Sequence, residues 1–145
     1  MTKNKIPEVL VLGLPNAGKS TLVNALSKNK TSIIGSTPNT TRDKVSTTVE
    51  FDNKEKITLS DLPGFLEQAD EFNKNFQDNI IRYIHTVDHI LFLIDVNSKD
   101  YSGLDSIFEL ISKNKLQNKT STIFNKAENF QISELDKRMY KYIFN

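Results

Sequence analysis

The sequence predicts an α/β protein in three layers, with helices on both faces of a mostly parallel β-sheet. Two observations lead to this class. Short apolar runs alternate along the chain with segments whose apolar residues recur at helical spacing, and strands separated by helices pair in parallel through right-handed crossovers. Polar, glycine-containing motifs directly follow several of the apolar runs. Since such sheets bind ligands beyond the carboxyl ends of their strands, these motifs are candidate functional sites.

Each element is predicted from its own local pattern. Strands are expected where short apolar or β-branched runs end in turn residues, at 8–12, 44–51, 56–60, 89–96 and 120–124. Helices are expected where apolar residues recur at helical spacing, at 19–28, 71–86, 104–111 and 132–143. The strands around residues 52–54 form a predicted hairpin, which gives one antiparallel edge strand. Residues 31–42 show no periodicity and are predicted to be a loop.

Composition restricts the class of protein. The 145 residues predict a single domain over 1–145. With 19 basic and 18 acidic residues, bulk charge does not favour nucleic acid or anionic membranes. The absence of cysteine excludes disulfides and thiolate zinc sites, and His85 and His89 are too few for a histidine-rich metal site. The apolar runs fall short of the roughly 20 residues that span a bilayer, and no signal peptide is recognised. A cytoplasmic protein with no integral membrane segment is therefore expected.

Residues 13–20, GLPNAGKS, match the pattern G-x-x-x-x-G-K-[ST] between a predicted strand and a predicted helix. Glycines let successive backbone N–H groups point at phosphate oxygens, and the helix adds its positive N-terminal end. Lys19 is expected to reach the β- and γ-phosphates, and the Ser20 hydroxyl to bind Mg²⁺. The predicted phosphate-binding residues of this loop are Asn16, Ala17, Gly18, Lys19, Ser20 and Thr21.

A second motif, DLPG, ends the strand at 56–60. Asp61 at that position can hold a water ligand of Mg²⁺, and the N–H of Gly64 can contact the γ-phosphate. Between the two motifs lies TPNTTRD, residues 37–43. A threonine in this loop can complete the Mg²⁺ shell while the γ-phosphate is present and leave it after hydrolysis. The motifs together predict a loop that responds to the nucleotide state.

The strand at 120–124 leads into NKAE, which predicts a base-reading loop. The Glu128 carboxylate can accept two hydrogen bonds from guanine N1–H and N2–H₂, a pair that adenine cannot supply. Lys126 is expected to pack along the base, and Asn125 to tie this loop to the phosphate loop. Because glutamate is one methylene longer than the aspartate usual in N-K-x-D, we expect guanine preference with looser geometry.

The ordered set GLPNAGKST, TPNTTRD, DLPG and NKAE resembles the translation-factor-related P-loop GTPases of bacteria over nearly the whole chain. The TTRD string is similar to the Era/Der/MnmE group. GLPNAGKS and DLPGFLEQA look more like Obg proteins, and DLPG also occurs in the FeoB iron-transport GTPases. The resemblance implies the three-layer P-loop GTPase fold, GTP and GDP as ligands, and Mg²⁺ as cofactor.

The resemblance also implies site roles for individual residues. The Mg²⁺ ligands are Ser20, Thr41 and, through water, Asp61, with Thr40 as the second choice for the switch threonine. The guanine-binding residues are Asn125, Lys126 and Glu128. The nucleotide-sensing switch residues are Thr40, Thr41, Arg42, Asp61 and Phe65. Members with an asparagine in the phosphate loop can use K⁺ to offset transition-state charge, and Asn16 occupies that position.

One departure from these families, and one difference from the Ras-like enzymes, affect the expected function. Their domains continue with a further strand, a base-contacting loop and a last helix, whereas residues 129–145 look like one helix. We therefore expect either a fragment or a shortened domain that lacks the last strand and helix and exposes a sheet edge. Phe65 stands where Ras-like enzymes place a water-orienting glutamine, which predicts slow intrinsic hydrolysis.

Three functional hypotheses follow. The first is a GTPase that hydrolyses GTP to GDP and phosphate as a molecular switch in ribosome assembly or RNA maturation, with a ribosomal subunit or RNA as partner. The second is a nucleotide-responsive binding module with little turnover. The third is the cytosolic G domain of a FeoB-type iron transporter. The oligomeric state is not predicted.

Overall fold

The computed structural model describes residues 4–28, 32–38, 45–62 and 74–144. Within these residues, six strands form one sheet, in the order β2-β3-β4-β1-β5-β6. They are β1 (Glu8–Gly13), β2 (Ser32–Pro38), β3 (Val45–Glu50), β4 (Lys56–Asp61), β5 (His89–Asp95) and β6 (Thr120–Asn125). The α-helices in the described ranges are α1 (Lys19–Lys28), α2 (Lys74–Thr86) and α3 (Tyr101–Lys113).

The strand directions confirm the predicted fold class. β1 pairs in parallel with β4 and β5, and β5 pairs in parallel with β6. β3 is antiparallel to β4, as the predicted hairpin requires. Both faces of the central strand β1 are buried. Leu10 and Leu12 join the core cluster with α2 and α3, and Val11, also buried, points to the opposite face because strand side chains alternate.

The expected position of the antiparallel strand needs correction. β2 pairs antiparallel with the outer side of β3, so β3 is not the edge strand. The prediction of a loop over residues 31–42 was wrong for 32–38. The register of β2 shifts between Ile33 and Gly35, and an interrupted pairing of this kind breaks the alternation by which strands are recognised. The neighbouring strand therefore defines β2 more than its own pattern does.

The prediction of a last helix was also wrong. Residues 132–143 form two 3-10 helices, Ile132–Glu134 and Lys137–Tyr142, instead of one α-helix. Between them Leu135 is extended. The Asp136 carboxylate accepts a 3.0 Å hydrogen bond from the Arg138 backbone N–H, which starts a new turn. Met139 and Tyr142 are fully buried, so the apolar spacing that suggested a helix is used for core packing.

The carboxyl-terminal segment covers part of the sheet edge that was expected to be exposed. The Thr122 N–H of β6 donates to the Phe144 carbonyl at 3.0 Å. The Phe144 N–H donates to the Thr122 hydroxyl at 2.9 Å, and that hydroxyl donates to the Tyr142 carbonyl. In the described part after β6, residues 126–144, the structure contains 3-10 helices and no strand or α-helix.

We expect Tyr142→Ala to lower the free energy of unfolding by about 3–5 kcal/mol, the usual range for truncating a buried aromatic residue. The Tyr142 ring packs edge-on against Phe92 and Phe108, and its hydroxyl donates to Asp105 at 2.8 Å. Tyr140 is the matched control, because it is 48% exposed and its truncation should cost about 0.5 kcal/mol or less. Urea denaturation of both variants measures the difference. Equal losses would contradict the packing described here.

Candidate functional site

The phosphate loop connects β1 to α1, as the sequence pattern predicts. Asn16 and Gly18 have φ angles of 65° and 102°, in the left-handed region that favours glycine and tolerates asparagine. A Cβ atom at Gly13 would lie 2.7 Å from the Leu93 carbonyl oxygen. Glycine at that position therefore lets the loop leave β1 in close contact with β5.

The Lys19 side chain folds back into the phosphate loop. Its ammonium group donates to the Gly13 and Leu14 carbonyl oxygens at 3.0 and 3.1 Å. An ammonium group has three donors, and it lies here beside the backbone of the loop and the N-terminus of α1. Positive charge and helix N–H groups are therefore concentrated at one place, which is the electrostatic requirement for binding phosphate.

Asp61, the last residue of β4, lies beside this loop and fits a metal-binding role. Its partner in the register of β1 is Val11, two residues before Gly13. Its Oδ1 atom is buried and has no hydrogen-bond partner among the described residues. Burial raises the pKa of Asp61, and the charge of Lys19 opposes that rise. A buried carboxylate oxygen of this kind suits Mg²⁺, which prefers oxygen ligands, and the exposed Ser20 stands next to Lys19 on α1.

The base-reading loop is joined to the phosphate loop by the Asn125 side chain. Asn125 ends β6, and its Nδ2 donates to the Ala17 carbonyl oxygen at 2.9 Å. A Cβ atom at Gly18 would lie 2.3 Å from that Nδ2, so this close approach requires glycine. The structure thus contains the link between the two loops that the sequence predicts for Asn125.

Lys126 makes a second link between the loops. It has a φ angle of 61°, and its ammonium group donates to the Asn16 carbonyl oxygen at 2.6 Å. The same group forms an ion pair with Asp95 Oδ2 at 3.0 Å. Sequence reasoning assigned no role to Asp95. The position of an acidic residue at the carboxyl end of a strand could have indicated a role in the site. That inference requires knowing that β5 lies between β1 and β6.

Several predicted site residues meet at one edge of the sheet. The phosphate loop, Asp61 and the loop after β6 all follow the carboxyl ends of parallel strands. Thr21 and Glu128 are exposed. Five predicted residues lie outside the described ranges, namely Thr40, Thr41, Arg42, Gly64 and Phe65. The arrangement can therefore hold an anionic group at one end and a planar, hydrogen-bonding group at the other.

A protein-family model described as 50S ribosome-binding GTPase matches residues 8–126. The chain belongs to this GTPase family. The match extends from the first residue of β1 to Lys126, so it includes the phosphate loop, Asp61 and the first two of the four residues of the base-reading motif.

Individual relatives agree with the resemblance to the Era and Der type. GTPase Der from Chlorobium phaeobacteroides is 34% identical over 128 residues, which are 88% of this chain and 29% of that protein. GTPase Era from Borrelia garinii subsp. bavariensis is 35% identical over 127 residues, or 86% of this chain and 43% of that protein. The chain thus spans less than half the length of these relatives.

A solved structure supports the fold. The G domain of the FeoB iron transporter from T. maritima superimposes with a TM-score of 0.56 at 23% identity, covering 94% of this chain and 84% of that one. At this identity the likeness shows the fold alone. None of the helices in the described ranges is long and apolar enough to cross a membrane.

We expect Asp61→Asn to keep or raise the stability of the nucleotide-free domain while weakening Mg²⁺-dependent nucleotide binding. Because burial raises the pKa of Asp61, the ionised carboxylate is less favourable in the folded than in the unfolded chain, and asparagine removes that penalty. The stability gain should be present at neutral pH and vanish as the pH falls below 3.8, the ordinary pKa of an aspartic acid side chain, where both states are protonated.

Thermal unfolding across pH measures the stability, and titration of GTP with and without Mg²⁺ measures the binding. The loss of Mg²⁺-dependent affinity should be about tenfold or more, corresponding to about 1.4 kcal/mol. Asp52→Asn is the control, because Asp52 is exposed in the β3–β4 turn. A destabilised Asp61→Asn protein with normal Mg²⁺ dependence would contradict this account.

Proposed function

We propose that this domain binds GTP with Mg²⁺ and hydrolyses it to GDP and phosphate, as a cytoplasmic molecular switch in ribosome assembly or RNA maturation. The observation that carries the proposal is the direct linkage of the phosphate loop to the base-reading loop, through Asn125 to Ala17 and Lys126 to Asn16. The family description and the names of the Der and Era relatives support the same activity. A ribosomal subunit or RNA is the proposed partner.

In this mechanism the phosphates enter the loop before α1. Two loop carbonyls accept hydrogen bonds from the Lys19 ammonium group. Its third N–H and its positive charge remain for the β- and γ-phosphate oxygens. Backbone N–H groups of the loop and the positive end of α1 bind the same oxygens. When bound, Mg²⁺ would supply positive charge that offsets the charge of the phosphates. Ser20, Asp61 and Thr41 are the residues proposed to hold it.

The base is read by the loop after β6. Asn125 fixes the distance of this loop from the phosphates, and the Glu128 carboxylate supplies the two acceptors that guanine requires. Glu128 is exposed and therefore accessible to a base. Its side chain is longer than that of aspartate, so the contact is retained with less exact geometry.

We expect Glu128→Ala to weaken GDP binding by about 1–3 kcal/mol, because a bidentate charged contact is lost. Glu128→Asp should hold or improve GDP affinity, and Glu55→Ala, at an exposed position of the β3–β4 turn, should change nothing. Competition of a fluorescent GDP analogue by GTP and by ATP measures both affinity and base preference. Equal competition by ATP in the wild type would remove the guanine assignment.

Phe65 cannot orient the attacking water, and hydrolysis also requires positive charge near the γ-phosphate. The resemblance to GTPases with an asparagine in the phosphate loop suggests K⁺ at Asn16, which is exposed on this loop. A monovalent cation there would offset charge that develops as the phosphate bond breaks.

We expect single-turnover GTP hydrolysis to be about ten- to hundredfold faster in KCl than in NaCl, equivalent to about 1.4–2.8 kcal/mol. Asn16→Gly should remove the difference. Glycine tolerates the left-handed conformation of Asn16, and the backbone carbonyl that accepts from Lys126 remains, so this variant removes the side chain alone. Identical rates in both salts, with GTP shown to be bound, would reject the cation mechanism.

The second candidate is a nucleotide-responsive binding module with little turnover. Phe65 in place of glutamine favours it, because no side chain there can orient the attacking water. Glu128 in place of aspartate also departs from the usual N-K-x-D motif, through its effect on base recognition. Bound GTP that persists over many hours in KCl, in a protein that still prefers guanine nucleotides, would select this alternative.

A further inference from the structure

Three segments of the chain meet at the ammonium group of Lys126. The group is 2.6 Å from the Asn16 carbonyl oxygen of the phosphate loop and 3.0 Å from Asp95 Oδ2. Asp95 ends β5, the strand between β1 and β6. Its carboxylate is therefore placed between the strand that leads into the phosphate loop and the strand that leads into the base-reading loop.

We propose that Asp95 is a positioning residue for nucleotide binding, which acts by holding Lys126 against the phosphate loop. The proposal rests on the proposed function, because Lys126 is the residue expected to pack along the base. Asp95 itself is not assigned a contact with the nucleotide.

The Asp95 side chain is fixed on both of its oxygens. Oδ1 accepts a 2.8 Å hydrogen bond from the Asn97 backbone N–H, while Oδ2 faces Lys126. Burial opposes ionisation of Asp95, but the hydrogen bonds from Asn97 and Lys126 outweigh it and hold the pKa of Asp95 below its usual value. A carboxylate held in this way gives the flexible lysine side chain one preferred direction.

The backbone around this ion pair is ordered by the sheet. Asp95 is paired with Asn125 in the register of β5 and β6, and the Val96 N–H donates to the Asn125 carbonyl at 3.1 Å. The pairing therefore continues to the residue before Lys126. With the backbone already fixed, the remaining freedom of Lys126 lies in its four-carbon side chain, which is the part that Asp95 restrains.

The negative charge of Asp95 suggests an alternative to the positioning role. A carboxylate close to a nucleotide repels phosphate oxygens, so Asp95 could weaken binding instead of supporting it. The ion pair with Lys126 offsets that repulsion. The two effects predict opposite results when Asp95 loses its charge, since a positioning residue would release the nucleotide faster and a repelling residue would hold it longer.

The test is a double-variant cycle of Asp95→Asn and Lys126→Met, read by the dissociation rate of a fluorescent GDP analogue. We expect about fivefold faster release from Asp95→Asn, the size of a partly exposed ion pair. In the double variant, release should be no faster than in Lys126→Met alone, because Asp95 acts through Lys126. Glu109→Gln is the control, since it removes the carboxylate of an exposed 3.1 Å ion pair with Lys113 on α3 and should leave release unchanged.

Thermal unfolding without nucleotide separates positioning from simple stabilisation. Asp95→Asn should melt within the range of the Glu109→Gln control while releasing GDP faster. Two results would overturn the role of Asp95. One is a double variant whose increase in release rate is the product of the two single increases, and the other is slower release from Asp95→Asn. Equal binding of GDP and ADP by the wild type would instead overturn the guanine assignment, and the same cycle could then be read with either nucleotide.

Discussion

The close approach of Asn125 to Gly18 fixes the separation of the two loops that form the candidate site. A Cβ atom at Gly18 would lie 2.3 Å from Asn125 Nδ2, so the contact exists because the phosphate loop has no side chain there. β5 lies between β1 and β6, and two strand spacings amount to about 10 Å. The sheet thus sets the distance between the two ends of the candidate site, and the hydrogen bond of Asn125 holds the loops together.

Asp61 shows that this site is not optimised for stability of the free domain. Its Oδ1 atom is buried without a hydrogen-bond partner in the described ranges, an arrangement that usually costs free energy. Lys19, which uses loop carbonyls as acceptors, offsets part of the charge. In the proposed function this site receives a divalent cation and a polyanion, which would satisfy such groups, and the rest of the fold compensates for their cost in the free domain.

An element could be predicted from the sequence when its own residues stabilise it, and was missed or misassigned when contacts with distant residues do. β1 and β5 are buried apolar strands, so their own residues predict them closely. β2 depends on pairing with β3, which its own residues do not encode. The segment after Asp136 buries Met139 and Tyr142 in a 3-10 helix, a helix type that the apolar spacing did not distinguish from an α-helix. At the site, the motifs predicted the link from Asn125 to the phosphate loop. Asp95 was missed because its role follows from strand order and not from spacing along the chain.

The two halves of the site rest on different parts of the fold. The phosphate loop belongs to β1 and α1. The base-reading loop continues into Ala127 and Phe130, which pack against the same core cluster as Tyr142 and Phe144. The carboxyl-terminal segment also bonds to β6 at Thr122, three residues before Asn125. Loosening this segment would therefore disturb the base-reading loop before the phosphate loop, because the base-reading loop follows β6 directly. The hydrogen bond from Asn125 can restrain the two loops only while β6 itself stays in place.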